Sequence, residues 1–121
     1  MNIKVKEVVK YNGHNMAANG SVNLALKASY SELTNSIMLT QMLNNDVHIG
    51  AKLPGKKPID LGTFRIKQIS IDGDGESTLK FNSLSDFVEM DNLNQLPLAS
   101  DDVKEFVVLF KANIEKEGGD E

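Results

Sequence analysis

The segment Gly50-Ala51-Lys52-Leu53-Pro54-Gly55-Lys56-Lys57 combines glycines that bare backbone N–H groups with lysines that neutralise an anion, which is the chemistry of phosphate binding. It matches the G-x-x-x-x-G-K-[ST] phosphate loop at every position but the last, where Lys57 stands in place of the hydroxyl that would hold Mg²⁺. Pro58 follows and blocks a smooth run into a helix, so no helix N-terminus is offered to the phosphates. What is left is an exposed basic loop, Pro54 to Pro58. Lys52, Lys56 and Lys57 there are candidate contacts for a phosphate backbone or an acidic protein patch.

Other groupings fall away on their chemistry. Asp72-Gly73-Asp74-Gly75-Glu76 has the carboxylates of a calcium loop, but its sixth position is Ser77, where glycine is needed, and its twelfth is Ser83, where a bidentate glutamate is needed. It reads as a hairpin turn. His14 and His48 lie outside any His-x-x-x-His spacing and the chain has no cysteine, so no metal site, thiolate nucleophile or disulfide is expected. There is no G-x-S-x-G elbow, and a hydrolytic triad would need His14 or His48 brought beside a carboxylate and a hydroxyl by folding alone. No catalytic residue and no cofactor are assigned. Tyr11 and Tyr30, with Lys10, Lys27, Arg65 and Lys67, make at most a weak platform for single-stranded nucleic acid, because aromatic rings more often pack in a core or at an edge.

The elements that would position these residues follow from hydrophobic spacing. Asn12-Gly13 and Asn19-Gly20 are hairpin-turn dipeptides, predicting strands over 3–11, 14–18 and 21–30. Val22, Leu24, Leu26, Ala28 and Tyr30 share one face of the last of these. Ser29-Tyr30-Ser31-Glu32 has the form of a capping box and opens a helix near residues 31–43. Its apolar residues cover more than one stripe, so Met38 and Met42 are candidate contacts for a partner if that second face is not buried. Val47, Ile49, Ala51 and Leu53 alternate as a strand. Phe64 and Ile66 lie on one parity and Ile69 and Ile71 on the other, which predicts a bulge near Lys67-Gln68. Leu79 and Phe81 then face inward, residues 83–90 hold a helical turn or two, and 92–99 read as loop. The run Phe106-Val107-Val108-Leu109-Phe110 favours a central strand over a helix. The expected fold is α+β: a mostly antiparallel β-sheet of five to seven strands in hairpins and meander, with one main α-helix near residues 31–43.

At 121 residues, with 40% hydrophobic and 25% charged residues, the chain is one ordinary globular domain, here placed at 1–117 with a polar tail at 118–121. The net charge of −4 divides unevenly: residues 1–60 carry seven Lys/Arg against four Asp/Glu, and residues 61–121 carry six against thirteen. An acidic total disfavours strong nonspecific nucleic-acid binding, which needs clustered cations. The amino end alternates charge with hydrophobe and shows no secretory h-region, so a soluble, cytoplasmic protein without membrane contact is expected.

Three segments, Asn2-Ile3-Lys4-Val5-Lys6, the hairpin from Gly62 to Phe81 and Phe110-Lys111-Ala112-Asn113-Ile114-Glu115, give the chain a layout that resembles small accessory proteins of Gram-positive bacteriophages and prophages. The resemblance implies a protein of a bacterial host's cytoplasm that acts by binding, as a host-takeover or anti-defence inhibitor. The expectation is therefore non-enzymatic protein–protein contact through Lys52, Lys56, Lys57, Arg65, Lys67, Met38 and Met42. A single-stranded DNA accessory protein and a virion structural or assembly subunit are the alternatives, with room left for a homo-oligomer.

Overall fold

Alternation of apolar and polar residues runs through most of the chain, and each alternating stretch is a strand. The computed structural model describes residues 2–29, 36–100 and 106–113. The strands are β1 (Asn2–Met16), β2 (Ser21–Ser29), β3 (Asp46–Lys52), β4 (Ile59–Ile71), β5 (Glu76–Leu84) and β6 (Phe106–Asn113). All pairings are antiparallel, and the order β1-β2-β5-β4-β3-β6 closes on itself as a barrel. Each described strand is thus paired on both sides, which removes the free edges where other chains add strands.

Two long strands make closure possible. β1 pairs β6 through Asn2 to Val9 and β2 through Lys10 to Met16. β4 pairs β3 through Ile59 to Arg65 and β5 through Arg65 to Ile71. Each strand changes partner midway, so the barrel is two four-stranded walls sharing β1 and β4. A bulge lies close to each change of partner, at Tyr11/His14 in β1 and Ile66/Gln68 in β4, where an extra residue bends the strand.

Inward residues fill the barrel. Phe81 stacks on Phe110 with ring centroids 5.7 Å apart and meets Phe64 edge-on at 6.4 Å. Around them Leu24, Leu26, Ile49, Leu61, Ile66 and Leu79 are fully buried, so side chains fill the barrel.

Several expectations hold. The alternation in β2 and β3, the bulge at Lys67-Gln68, the Asp72–Gly75 hairpin turn and the strand over Phe106–Asn113 are as read. Leu53-Pro54-Gly55-Lys56 is a tight turn closed by Lys56 N–H donating to the Leu53 carbonyl at 3.1 Å, with Gly55 at φ +74°.

Others are corrected. Asn12-Gly13 is not a hairpin turn: β1 runs on to Met16, and Gly13, at φ +107°, sits in the β1 bulge. Residues 92–99 are not loop. Helices α2 (Met90–Leu93) and α3 (Gln95–Ser100) lie there after a 3₁₀ turn over Ser85–Phe87, and Leu93 and Leu96 are fully buried in the core. Pro97 falls in the first turn of α3, where its missing N–H costs nothing. Of the main helix, the described part, α1, spans Ser36–Gln41 and ends two residues before the expected Leu43; residues 30–35, with most of the expected capping box and Tyr30, lie outside the described residues, as do the side chain of Met38 and the 118–121 tail. Ile71, expected inward, is 59% exposed because it lies at the end of β4 beside the turn.

Candidate functional site

The basic residues singled out in the sequence divide between two faces. Lys52 ends β3 beside the loop that carries Lys56 and Lys57, and its Nζ donates to the carbonyls of Lys56 and Leu53, tying the loop to the strand. Arg65 lies elsewhere on β4, where Nε donates to Asp46 Oδ1 at 2.9 Å, and Lys67 borders a different groove. Met42 is withdrawn as a partner contact, since it is fully buried where the chain after α1 bridges Leu43 to Ile66.

Two further lysines join Lys52, and neither had a local signal. Register places them. Lys6 on β1 is opposite Leu109 on β6, Leu109 is opposite Gly50 on β3, and Gly50 is opposite Asp60 on β4. One row to one side, Lys4, Lys111, His48 and Thr63 stand across the same four strands; one row to the other, Val8, Val107 and Lys52 follow. A groove of about 650 Å³ crosses these rows. Val107, Leu109 and Ile59 line it with aliphatic surface, and Lys6, Lys52 and Lys111 border it against one carboxylate, Asp60.

That carboxylate is already engaged. A bulge opposite Ile49/Gly50 inserts Leu61 into β4, so Asp60 and Thr63, three residues apart, both flank the outward-facing His48. Asp60 Oδ1 lies 2.6 Å from His48 Nε2 and also accepts the Gly62 N–H at 3.0 Å. His48 Nδ1 is 3.3 Å from Thr63 Oγ1. In the neutral imidazole this pattern puts the proton on Nε2 and leaves Nδ1 to accept the threonine hydroxyl. Gly62 is what the bulge requires: its φ is +112°, and an added Cβ would sit 2.8 Å from Val88 Cα and closer still to the Phe87 carbonyl oxygen.

The opposite wall carries a second groove of about 490 Å³ bordered by Asn15, Asn23, Gln68, Lys67 and Lys80. Its amides bond to one another: Asn23 Nδ2 donates to Asn15 Oδ1 at 3.0 Å and Asn82 Nδ2 to Asn23 Oδ1 at 2.9 Å. At the β1 bulge, Tyr11 Oη lies 2.6 Å from His14 Nδ1, and His14 Nε2 lies 2.8 Å from Asn94 Oδ1. Burial pushes the Tyr11 phenol above its ordinary 10.0, with the hydrogen bond at His14 acting in the other direction. Tyr11 is therefore not the free stacking ring that a nucleic-acid platform requires. On this side Leu84 and Phe87 are exposed, near Arg65 and Asp46.

Among the described residues no three His, Cys, Asp or Glu side chains gather as metal ligands, and no helix is long and apolar enough to cross a membrane. No protein-family model matches the chain, and no curated protein is detectably similar to it.

Proposed function

We propose that this is a non-enzymatic binding protein acting through protein–protein contacts, of the phage or mobile-element type that inhibits or diverts a host protein, and that its contact face is the groove over β3 and β6. One observation carries the reading: lysines from three different strands border an aliphatic strip on the outer wall of a closed barrel. Half-buried aliphatic surface bordered by like charge fits a partner that is apolar at its centre and acidic at its rim. The groove lining has no Phe, Tyr or Trp on which bases would stack, which favours protein over single-stranded nucleic acid. Affinity purification from bacterial lysate tests this with wild type and a Lys52→Glu/Lys111→Glu variant. A protein partner retained by wild type through stringent washing and lost by the variant is expected; nucleic acid retained in its place overturns the reading.

A second reading has one specific observation behind it, the Asp60–His48–Thr63 sequence of carboxylate, imidazole and hydroxyl at the groove's edge. A hydrolase built on it would turn over an activated ester and lose that turnover in His48→Ala. Turnover equal in the two proteins retires it.

A further inference from the structure

Gly50 stands in the interior of β3, a strand paired on both sides. Glycine weakens a strand there, and it is found where the backbone needs an unusual dihedral, where a side chain has no room, or where another molecule comes close. The β3–β4 bulge falls between Ile49 and Gly50, but its extra residue, Leu61, and its positive-φ glycine, Gly62, are both on β4, so it asks no special dihedral of position 50; an unusual dihedral and a lack of room are absent as well. Gly50 is not among the described glycines with positive φ, and a Cβ built on it would meet nothing nearer than the Ile59 carbonyl oxygen at 3.5 Å, an ordinary contact. Its neighbours Ile49 and Ala51 are buried, so position 50 faces outward, into the middle of the groove. Leu109 stands to one side of it and Asp60 to the other, with His48 and Lys52 two residues away along the strand. In that row every other position bears a side chain; Gly50 alone leaves a notch one residue wide.

Resting on the binding function proposed above, we infer that this notch is the subsite that seats one side chain of an extended acidic–apolar segment of the partner protein. The closed barrel offers no strand edge, so such a segment is held by its side chains and not by strand addition. Along an extended chain alternate residues are about 6.8 Å apart, which is also the spacing from Leu109 to Lys111 and from Gly50 to Lys52. An aliphatic residue packed on Leu109 over the Gly50 notch therefore brings acidic residues two positions to either side of it, on the same face of the segment, within reach of Lys111 and Lys52. A bare phosphate would leave the aliphatic strip uncovered, and an oligonucleotide would find no Phe, Tyr or Trp to stack on, only the His48 imidazole already held between Asp60 and Thr63.

The experiment is an amide chemical-shift titration of the full chain with a synthetic peptide Ser-Glu-Ser-Leu-Ser-Glu-Ser, whose leucine and two glutamates share one face when extended, and separately with oligothymidylate. The peptide is expected to move the Gly50, Leu109 and Lys111 amides. Gly50→Val is expected to bind it at least tenfold more weakly with no loss of thermal midpoint, and Gly50→Ala, whose methyl group fits the space, several-fold more weakly. Binding by both variants within twofold of wild type overturns the notch. If Lys52→Glu/Lys111→Glu still loses the peptide in that case, the groove itself stands. Failure of the peptide to move these amides, or the same amides moving only with oligothymidylate, overturns notch and groove together.

Discussion

The wall over β3 and β6 and the wall over β2 and β5 are cut from one barrel, and their inner faces are mostly apolar, with Glu7 on β1 and Ser77 and Thr78 on β5 as the buried polar residues among those described. Outside they differ. On the β2/β5 side the outward amides of Asn15, Asn23 and Asn82 bond across three strands. Such cross-strand pairs satisfy one another, so the surface they make has little to gain from a partner. On the β3/β6 side, aliphatic residues stand between lysines of one sign and a glycine takes the central place. Like charges around apolar surface have their complement on another molecule. The difference teaches that the kind of lining marks the site: one groove is bordered by amides that bond across strands, the other by lysines from three strands around aliphatic side chains.

The largest effect is expected where the contrast is built. Gly62→Ala places a side chain at φ +112° and against the backbone of Phe87 and Val88. Strain plus clash should cost about 3 kcal/mol or more and lower the thermal midpoint by roughly 10 °C. A midpoint within about 2 °C of wild type would mean that the β4 bulge, and with it the shared face of Asp60 and Thr63, is not formed as described.

Charge reversal on the two walls comes next. Lys52→Glu/Lys111→Glu should weaken binding of the partner or of an acidic peptide about 100-fold, close to 2.7 kcal/mol, while Lys67→Glu/Lys80→Glu should change it less than threefold. Equal losses from both pairs would break the comparison, since binding would then follow the overall field of the protein and not a groove. Asn23→Ala should do the reverse. It removes the middle of the amide ladder, costing about 1 kcal/mol in denaturant unfolding, and leaves binding unchanged.

Much of the barrel was legible because period-two alternation survives wherever a strand has one wet face. Val47, Ile49, Ala51 and Leu53 declare β3, and the parity change between Ile66 and Ile69 declares a bulge. Asn12-Gly13 misled because positive φ serves a bulge as well as a hairpin turn. The helices α2 and α3 are too short for helical periodicity to show, and they are held by burying Leu93 and Leu96. Of the groove, only the Lys52 corner was visible. Lys6 and Lys111 meet through the pairing of the first strand with the last, which carries no local signal. Strict alternation would put Asp60 and Thr63 on opposite faces; the Gly62 bulge puts them on one. The uneven charge of the two sequence halves also dissolves in the fold, since the groove draws lysines from both.

The smallest expected effect tests whether the β2/β5 side is structural. Tyr11, His14 and Asn94 form a hydrogen-bonded chain from the β1 bulge to the residue that follows α2. Tyr11 is held above 10.0 because burial disfavours the phenolate, so its folded-state pKa exceeds the unfolded one. The unfolded chain then releases the proton first. Tyr11 therefore contributes stability that is fully present below about pH 10 and is lost as pH rises through the higher folded value. Tyr11→Phe should lower the thermal midpoint slightly at neutral pH and flatten its alkaline decline, with peptide binding at the opposite wall unchanged. Midpoint curves that stay parallel for wild type and variant between about pH 9 and 11 would show that the phenol is not buried as described. A coincident loss of peptide binding would show that the two walls are coupled through β1, the strand they share.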